Sequence, residues 1–280
     1  MKKTRQKSIK KVSPKKSFSK PKSFDKKPRF KDDFEENTFQ LEGRNSVLEA
    51  INKNKTIDKI FVKKGEIEGT LKVIVAKALE KGIIVQEVDK MKMEQMKKTN
   101  NPQGVIALCP THEYCEVYDI LENAKKKGEE PFIIILDEIT DPHNLGAIIR
   151  TAEASGAHGV IIPKRRSASL TAIVSKTSAG ALEYVPVARV SNITKEIEKL
   201  KKAGLWIVCT DMKGTTYYDA DLKGPIAIVI GNEGEGVSRL VKENCDFSIK
   251  IPMLGKIDSL NASVASGIVM YEVVKQRKLI

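Results

Sequence analysis

Ile226-Ala227-Ile228-Val229-Ile230-Gly231-Asn232-Glu233-Gly234-Glu235-Gly236 is the stretch on which the reading of this 280-residue chain turns. Five apolar residues without polar alternation predict a strand buried on both faces, running straight into a glycine-bearing loop. A second apolar strand ends at Ile249-Lys250-Ile251-Pro252, and a turn runs from Met253 to Asp258. Ser259-Leu260-Asn261-Ala262-Ser263 then opens a closing helix. Loops at the carboxyl ends of strands in an open α/β sheet are where ligands bind, so this corner is the candidate site.

Working outward, the chain from Pro131 reads as a repeated βαβα pattern. Strands are predicted at Phe132–Leu136, Val160–Pro163, Tyr184–Val187, Leu205–Thr210, Ile226–Ile230 and Phe247–Ile251. Helices are predicted at Leu145–Ser155, Ser169–Ala179 and Ile193–Ala203. Helical crossovers between short apolar strands predict a mostly parallel sheet of about six strands. Upstream, Phe39 to Cys109 alternates short helices and strands over enough length for a separate α/β unit. Its Met91, Met93 and Met96 read as core filler. Residues 110–131 join the two units through a helix at Val117–Lys127. The predicted organisation is therefore a tail at 1–38, a small domain at 39–112, a linker at 113–130 and a larger domain at 131–280.

The charge is uneven. Residues 1–31 hold 14 of the 49 Lys and Arg and one of the 36 Asp and Glu, so the rest of the chain is formally neutral. That stretch, with Phe18, Phe24 and Phe30 among Lys, Ser and Pro, shows no helical or strand period and predicts disorder. Lysines with interspersed aromatics suit a nucleic-acid partner, with a solubilising extension as the plain alternative. No apolar region follows the first charges as in a secretory signal, and no stretch approaches the about 20 apolar residues of a membrane span. Cys109, Cys115, Cys209 and Cys245 form no C-x-x-C pair, and His112, His143 and His158 lie far apart, which predicts no metal site and a reduced, cytoplasmic protein.

Three loops carry polar groups that helix and strand formation do not explain. In Asp141-Pro142-His143-Asn144-Leu145-Gly146-Ala147-Ile148-Ile149-Arg150, Asn144 reads as a helix N-cap. Arg150 sits on an otherwise apolar helix, where it can grip a phosphate or pair with Asp137 or Glu138. Gly231 to Gly236 presents Glu233 on a backbone that can approach a ligand closely. Its Gly234-x-Gly236 tempts a dinucleotide reading, but Arg239 stands where the third glycine belongs. In the third loop, Asp258 or Ser259 is enough to cap the last helix, yet Asn261 and Ser263 continue polar into it. Buried polar groups cost free energy unless partnered, which points to a site.

Together the three loops resemble the three motifs of the SpoU/TrmH family of RNA ribose 2′-O-methyltransferases, within the SPOUT superfamily. The matches are Asn144-x-Gly146-x-x-x-Arg150-Thr151-Ala152, Ile230-Gly231-Asn232-Glu233-Gly234-x-Gly236, and Ile251-Pro252-Met253 to Ser259-Leu260-Asn261-x-Ser263-Val264-Ala265. The opening Glu42-Gly43-Arg44-Asn45-Ser46-Val47 is similar to that of an L30e-like RNA-binding domain. Pro163 to Ala168 and Ser178 to Glu183 resemble the branch that modifies a guanosine in the peptidyl-transferase region of 23S rRNA.

The resemblance implies a trefoil-knotted α/β catalytic domain, a homodimer, an RNA substrate and S-adenosylmethionine as cofactor. It implies cofactor contacts at Thr210, Gly231, Ile251, Met253, Leu260 and Ser263. RNA contacts are implied at Arg44, Asn45, Lys164, Arg165 and Arg166. Arg150 is implied as the catalytic group, with Asn144, Glu233, Ser259 and Asn261 around it. An arginine is effectively never deprotonated, so Arg150 is read as gripping phosphate and stabilising developing alkoxide charge. The rival readings are the same chemistry on a tRNA D-loop ribose, and an idle RNA-binding or ribosome-assembly factor on the same fold.

Overall fold

The computed structural model describes residues 39–65, 67–257 and 259–277. The predicted disorder of the basic tail and the capping alternative at Asp258 fall outside these residues.

The second half of the chain is organised by β5 (Phe132–Leu136), β6 (Gly159–Pro163), β7 (Val187–Val190), β8 (Trp206–Thr216), β9 (Ile226–Ile230) and β10 (Phe247–Lys250). They form one six-stranded sheet in the order β10-β8-β9-β5-β6-β7, with every pairing parallel. Ile133, Ile134 and Ile135 are fully buried because each face of the sheet is covered. Phe132, Ile134 and Leu136 meet α5 (Pro142–Ala154) and α9 (Ala262–Gln276). Ile133 and Ile135 meet α4 (Val117–Lys127) and α7 (Ile193–Lys202) on the other face. Truncating any of these isoleucines to alanine costs about 2–5 kcal/mol.

Residues 39–109 build a separate four-stranded sheet from β1 (Phe39–Glu42), β2 (Lys59–Lys63), β3 (Ile84–Val88) and β4 (Val105–Cys109), in the order β1-β4-β2-β3. Only β2 and β3 run parallel. α1 (Arg44–Asn52) and α2 (Thr70–Glu80) pack on one face. α3 (Lys90–Met96) lays Met93 and Met96 against Phe61 and Ile106 on the other, while Met91 stays exposed.

Four local expectations are corrected. The strand predicted at Tyr184–Val187 begins at Val187, after a 3-10 turn at Ala181–Glu183. Pro186 has no N–H to give a ladder, and only its carbonyl is used, accepting from Val160. The helix predicted at Ser169–Ala179 shrinks to α6 (Ala172–Thr177), capped by Thr171. α5 starts three residues earlier than predicted: Asp141 is its N-cap and accepts from the His143 N–H at 2.9 Å, with Pro142 at the first helical position. Asn144 is therefore not a cap. Finally, β8 runs on to Thr216, with a jump in its pairing to β10: Ser248 faces Cys209, but Ile249 faces Thr215. Thr210 to Gly214 bow out of the ladder there. A Cβ on Gly214 would lie 2.5 Å from the Ser248 carbonyl, so the strands rejoin at a distance only glycine permits.

Candidate active site

The carboxyl ends of β5, β9 and β10 bring the three loops together. Because Asp141 caps α5, the Asn144 side chain is free, and it is buried on the helix face turned to the sheet. Its Nδ2 donates to Glu233 Oε1. Glu233 reaches this position from a closed turn. Asn232 and Gly236 exchange backbone hydrogen bonds of 3.2 and 2.9 Å, and Asn232 Oδ1 accepts from Gly234 and Glu235 N–H. A Cβ on Gly231 would lie 2.1 Å from the Gly236 carbonyl carbon, so this turn closes only over glycine.

Asn261 completes the cluster. Its Oδ1 accepts from Ser263 N–H at 3.0 Å, Ser263 Oγ at 2.5 Å and Val264 N–H at 3.3 Å, which makes it the N-cap of α9. Its Nδ2 points the other way, donating to Asn144 Oδ1 at 2.9 Å and, at the long limit of 3.5 Å, to Glu233 Oε1. One residue thus terminates a helix and joins a polar cluster. Two amides donating toward one carboxylate hold Glu233 with its second oxygen still available.

Asp137 has a role beyond the Arg150 pairing that the sequence suggests. It is buried; its N–H donates to Ile230 O and its Oδ2 accepts from Ser238 N–H, both at 2.8 Å. Those bonds tie the end of β5 to both flanks of the Glu233 turn. The acidic pair Asp137-Glu138 directly after an apolar strand is the signal the sequence offers.

Arg150 is exposed and makes no hydrogen bond or ion pair among the described residues. Asp137 is occupied by Ser238, and Glu138 pairs with Arg166 at 2.8 Å, so the intramolecular salt bridge considered for Arg150 is not formed. Six residues along a helix turn the side chain through about 240° and carry it about 9 Å from Asn144, which separates Arg150 from the cluster. Ser259 is exposed just before Asn261.

Of the residues assigned to the cofactor, Gly231 is buried, while Thr210, Ile251, Met253, Leu260 and Ser263 are half-buried. Thr210 Oγ1 donates to Val229 O at 3.4 Å, where β8 leaves its partner. The described residues of 251–260 make no hydrogen bond to other backbone. Leu254 and Ile257 beside them are 99% and 73% exposed. Free main-chain donors and acceptors next to uncovered apolar side chains suit the flat base and the polar ribose of a nucleoside. Among the described residues no cluster of His, Cys, Asp and Glu could hold a metal ion, and no helix is long and apolar enough to cross a membrane.

The assigned RNA residues fall in two places. Lys164, Arg165 and Arg166 follow β6 at the same sheet edge as the cluster, with Lys164 N–H bonded to Val190 O at 2.8 Å. Arg44 lies on α1 in the other sheet, its Nε donating to Gln103 O at 3.1 Å, and Asn45 beside it is exposed.

A parallel sheet with glycine-bearing loops converging at one edge, preceded by a small mixed-sheet unit, defines a two-part α/β protein with a candidate ligand site at the carboxyl ends of its strands. The family model described as SpoU rRNA Methylase family matches residues 131–271, and one described as RNA 2′-O ribose methyltransferase substrate binding matches residues 40–115. The chain belongs to the SpoU/TrmH family of RNA methyltransferases. It is 46% identical over 236 residues to YacO of Bacillus subtilis (strain 168), whose name assigns it provisionally to the TrmH family of tRNA/rRNA methyltransferases; the match spans 84% of this chain and 94% of YacO. Two solved structures are similar. An AdoMet-bound rRNA methyltransferase from Sinorhizobium meliloti has a TM-score of 0.53 and 26% identity, over 85% of this chain and 87% of that one. The SpoU methyltransferase AviRb from Streptomyces viridochromogenes, in complex with AdoMet, has a TM-score of 0.54 and 26% identity, over 87% and 92%.

Proposed function

We propose that this protein transfers a methyl group from S-adenosylmethionine to the ribose 2′-hydroxyl of a guanosine in 23S rRNA. The observation that carries the reading is the Asn144–Glu233–Asn261 cluster, which joins all three motif loops at one sheet edge. The two similar structures that hold AdoMet support the cofactor. When bound, the cofactor supplies an activated sulfonium methyl, so the protein has to align the nucleophile and handle one proton. Thr210, Gly231, Ile251, Met253, Leu260 and Ser263 would hold it, largely through backbone. Arg150, exposed and without a partner among the described residues, grips the target phosphate and steadies charge developing on the 2′-oxygen. Asn144 and Asn261 orient Glu233 toward the ribose, and Ser259 lines the entry.

The same reading includes a trefoil knot threaded by the C-terminal segment, an L30e-like domain at 39–112, a catalytic domain at 131–280, a homodimer and a cytoplasmic location. The chain leaves edge strand β10, and its last helix, α9, packs with Leu222 of the β8–β9 connection in one core. The basic tail is assigned to RNA contact; deleting residues 1–31 is expected to flatten the salt dependence of binding without abolishing methyl transfer.

A tRNA ribose is the second reading, because YacO and its relatives are named for tRNA and rRNA alike. Tritiated methyl transfer from S-adenosylmethionine to separated 23S rRNA and bulk tRNA decides between them. Label in a 23S ribose, lost in Arg150→Ala, is the expected result. Label in tRNA alone would overturn the substrate, and none in either would leave an idle binding factor.

A further inference from the structure

The small sheet is joined to the large one by more than a linker. Asp58, immediately before β2, is buried and donates its N–H to Leu108 O at 2.8 Å. Its carboxylate pairs with Arg189 Nη1, from the middle of β7. Both side chains are nearly closed to solvent, at 6% and 11% exposure. Arg189 Nη2 donates to Lys164 O at 3.2 Å, and its guanidinium lies 5.1 Å from the centre of the Tyr114 ring. The Tyr114 hydroxyl accepts from Leu170 N–H at 3.1 Å, and it and the Ser169 hydroxyl favour the charged form of the Asp58 carboxylate.

The connecting chain is stitched in as well. Thr111 N–H and Oγ1 both donate to Leu170 O at 2.8 Å, and Cys115 N–H donates to Val187 O at 3.0 Å, adding a bridge to the edge of β7. Burial alone pushes the Asp58 carboxyl up, and Arg189 opposes it. Removing one partner by substitution leaves the other charge buried and uncompensated, and the directional bonds of the pair fix how the two sheets sit against each other. A flexible tether would need none of these groups.

We infer that Asp58 and Arg189 form a clasp that fixes the small domain against the catalytic domain and shapes the Lys164–Arg166 loop, so that both parts read RNA as one rigid surface. This rests on the proposed RNA contacts at Arg44 and at Lys164–Arg166. Its consequence is a substrate class: a folded RNA that presents two anchor points at a fixed separation, rather than a short single strand. Arg189 is a positioning residue in this scheme. It touches the backbone of the Lys164–Arg166 loop and the carboxylate of the other domain, but not the reacting atoms.

The test uses the full-length chain with spin labels at Leu79, exposed on α2, and Leu240, exposed on α8 (Arg239–Glu243). The expected distance distribution is one narrow peak. In Asp58→Asn/Arg189→Gln, which removes both charges together, it should broaden. Tyr114→Phe, which keeps the ring under Arg189 but loses the hydroxyl, serves if the double variant does not fold, and should broaden it less. With intact 23S rRNA and a fragment trimmed around the methylated ribose, the variant's preference for intact RNA should fall about tenfold through KM, as when one of two linked contacts loses its geometry. Arg189→Lys should recover part of it. A broad distribution in the wild type, or a narrow one in both variants, overturns the clasp whether or not any RNA is methylated. A broadened distance with unchanged RNA preference overturns the substrate class. Absence of methylation by the wild type would count against the proposed function alone.

Discussion

Asn261 faces two ways: its Oδ1 caps α9 through Ser263 and Val264, and its Nδ2 donates to Asn144 Oδ1 at 2.9 Å. The two jobs separate by substitution. Asp is as good an N-cap as Asn, but at the other end it sets an acceptor against Asn144 Oδ1 and the Glu233 carboxylate. Asn261→Asp is therefore expected to melt within a few degrees of wild type while single-turnover methyl transfer falls about 10²- to 10³-fold, the usual cost of losing a preorganised donor. Equal loss of melting temperature and rate would reduce Asn261 to a cap.

Arg150 offers the opposite case, a side chain with no structural duty. It is exposed and unpaired among the described residues, so Arg150→Ala should shift stability by no more than about 0.5 kcal/mol. Methyl transfer should drop by about 10² or more, and Arg150→Lys should restore only part, because an ammonium is a point charge without the guanidinium fork. Calorimetry alongside the tritium assay checks both. Full activity in the Lys variant would show that charge alone suffices.

These two residues also mark what could be read in advance. The motif loops were legible because glycines and stranded polar residues interrupt otherwise apolar strands and helices. Which residue capped which helix was not. Asp141-Pro142 takes the cap from Asn144, and Asn261 takes it from Ser259, since local side-chain competition decides the first turn. β1 was not legible because Phe39-Gln40-Leu41-Glu42 is only four residues on a sheet edge, with Phe39 half exposed, too short a run for its alternation to stand out. The register jump of β8 depends on Ser248 and Ile249, which no local pattern links to Cys209 and Thr215. The Asp58–Arg189 pair spans 131 residues and leaves no trace in composition or spacing.

Gly231 is required by contact. A methyl group there would sit 2.1 Å from the Gly236 carbonyl carbon and 2.2 Å from Val237 N, both backbone atoms in a closed turn. Gly231→Ala must open that turn, displacing Glu233 from Asn144. The expected cost is at or beyond the upper end of the about 1–3 kcal/mol seen for overpacking. Calorimetric binding of S-adenosylmethionine should be lost in parallel. Unchanged binding would place the cofactor away from this loop.

His158 gives stability a pH dependence at the opposite end of the sheet. Its ring is buried; Nδ1 accepts from Phe132 N–H at 3.0 Å, so the proton is on Nε2, which lies 3.0 Å from the Glu129 carboxylate. Burial holds its pKa below the ordinary 6.5, against the opposing pull of Glu129. The unfolded chain then binds more protons than the folded one between the depressed folded value and 6.5. Stability contributed by neutral His158 is complete above 6.5 and is lost as pH falls through that window, with a slope no steeper than about 1.4 kcal/mol per pH unit for one proton. In His158→Gln, whose amide oxygen can still accept from Phe132 N–H, this part of the slope should vanish. Urea unfolding at pH 7.5, 6.5 and 5.5 compares the two proteins at about those values, spanning the window from above. Identical slopes would mean that His158 titrates alike in the folded and unfolded chain, and that the acid sensitivity of the fold resides in other groups.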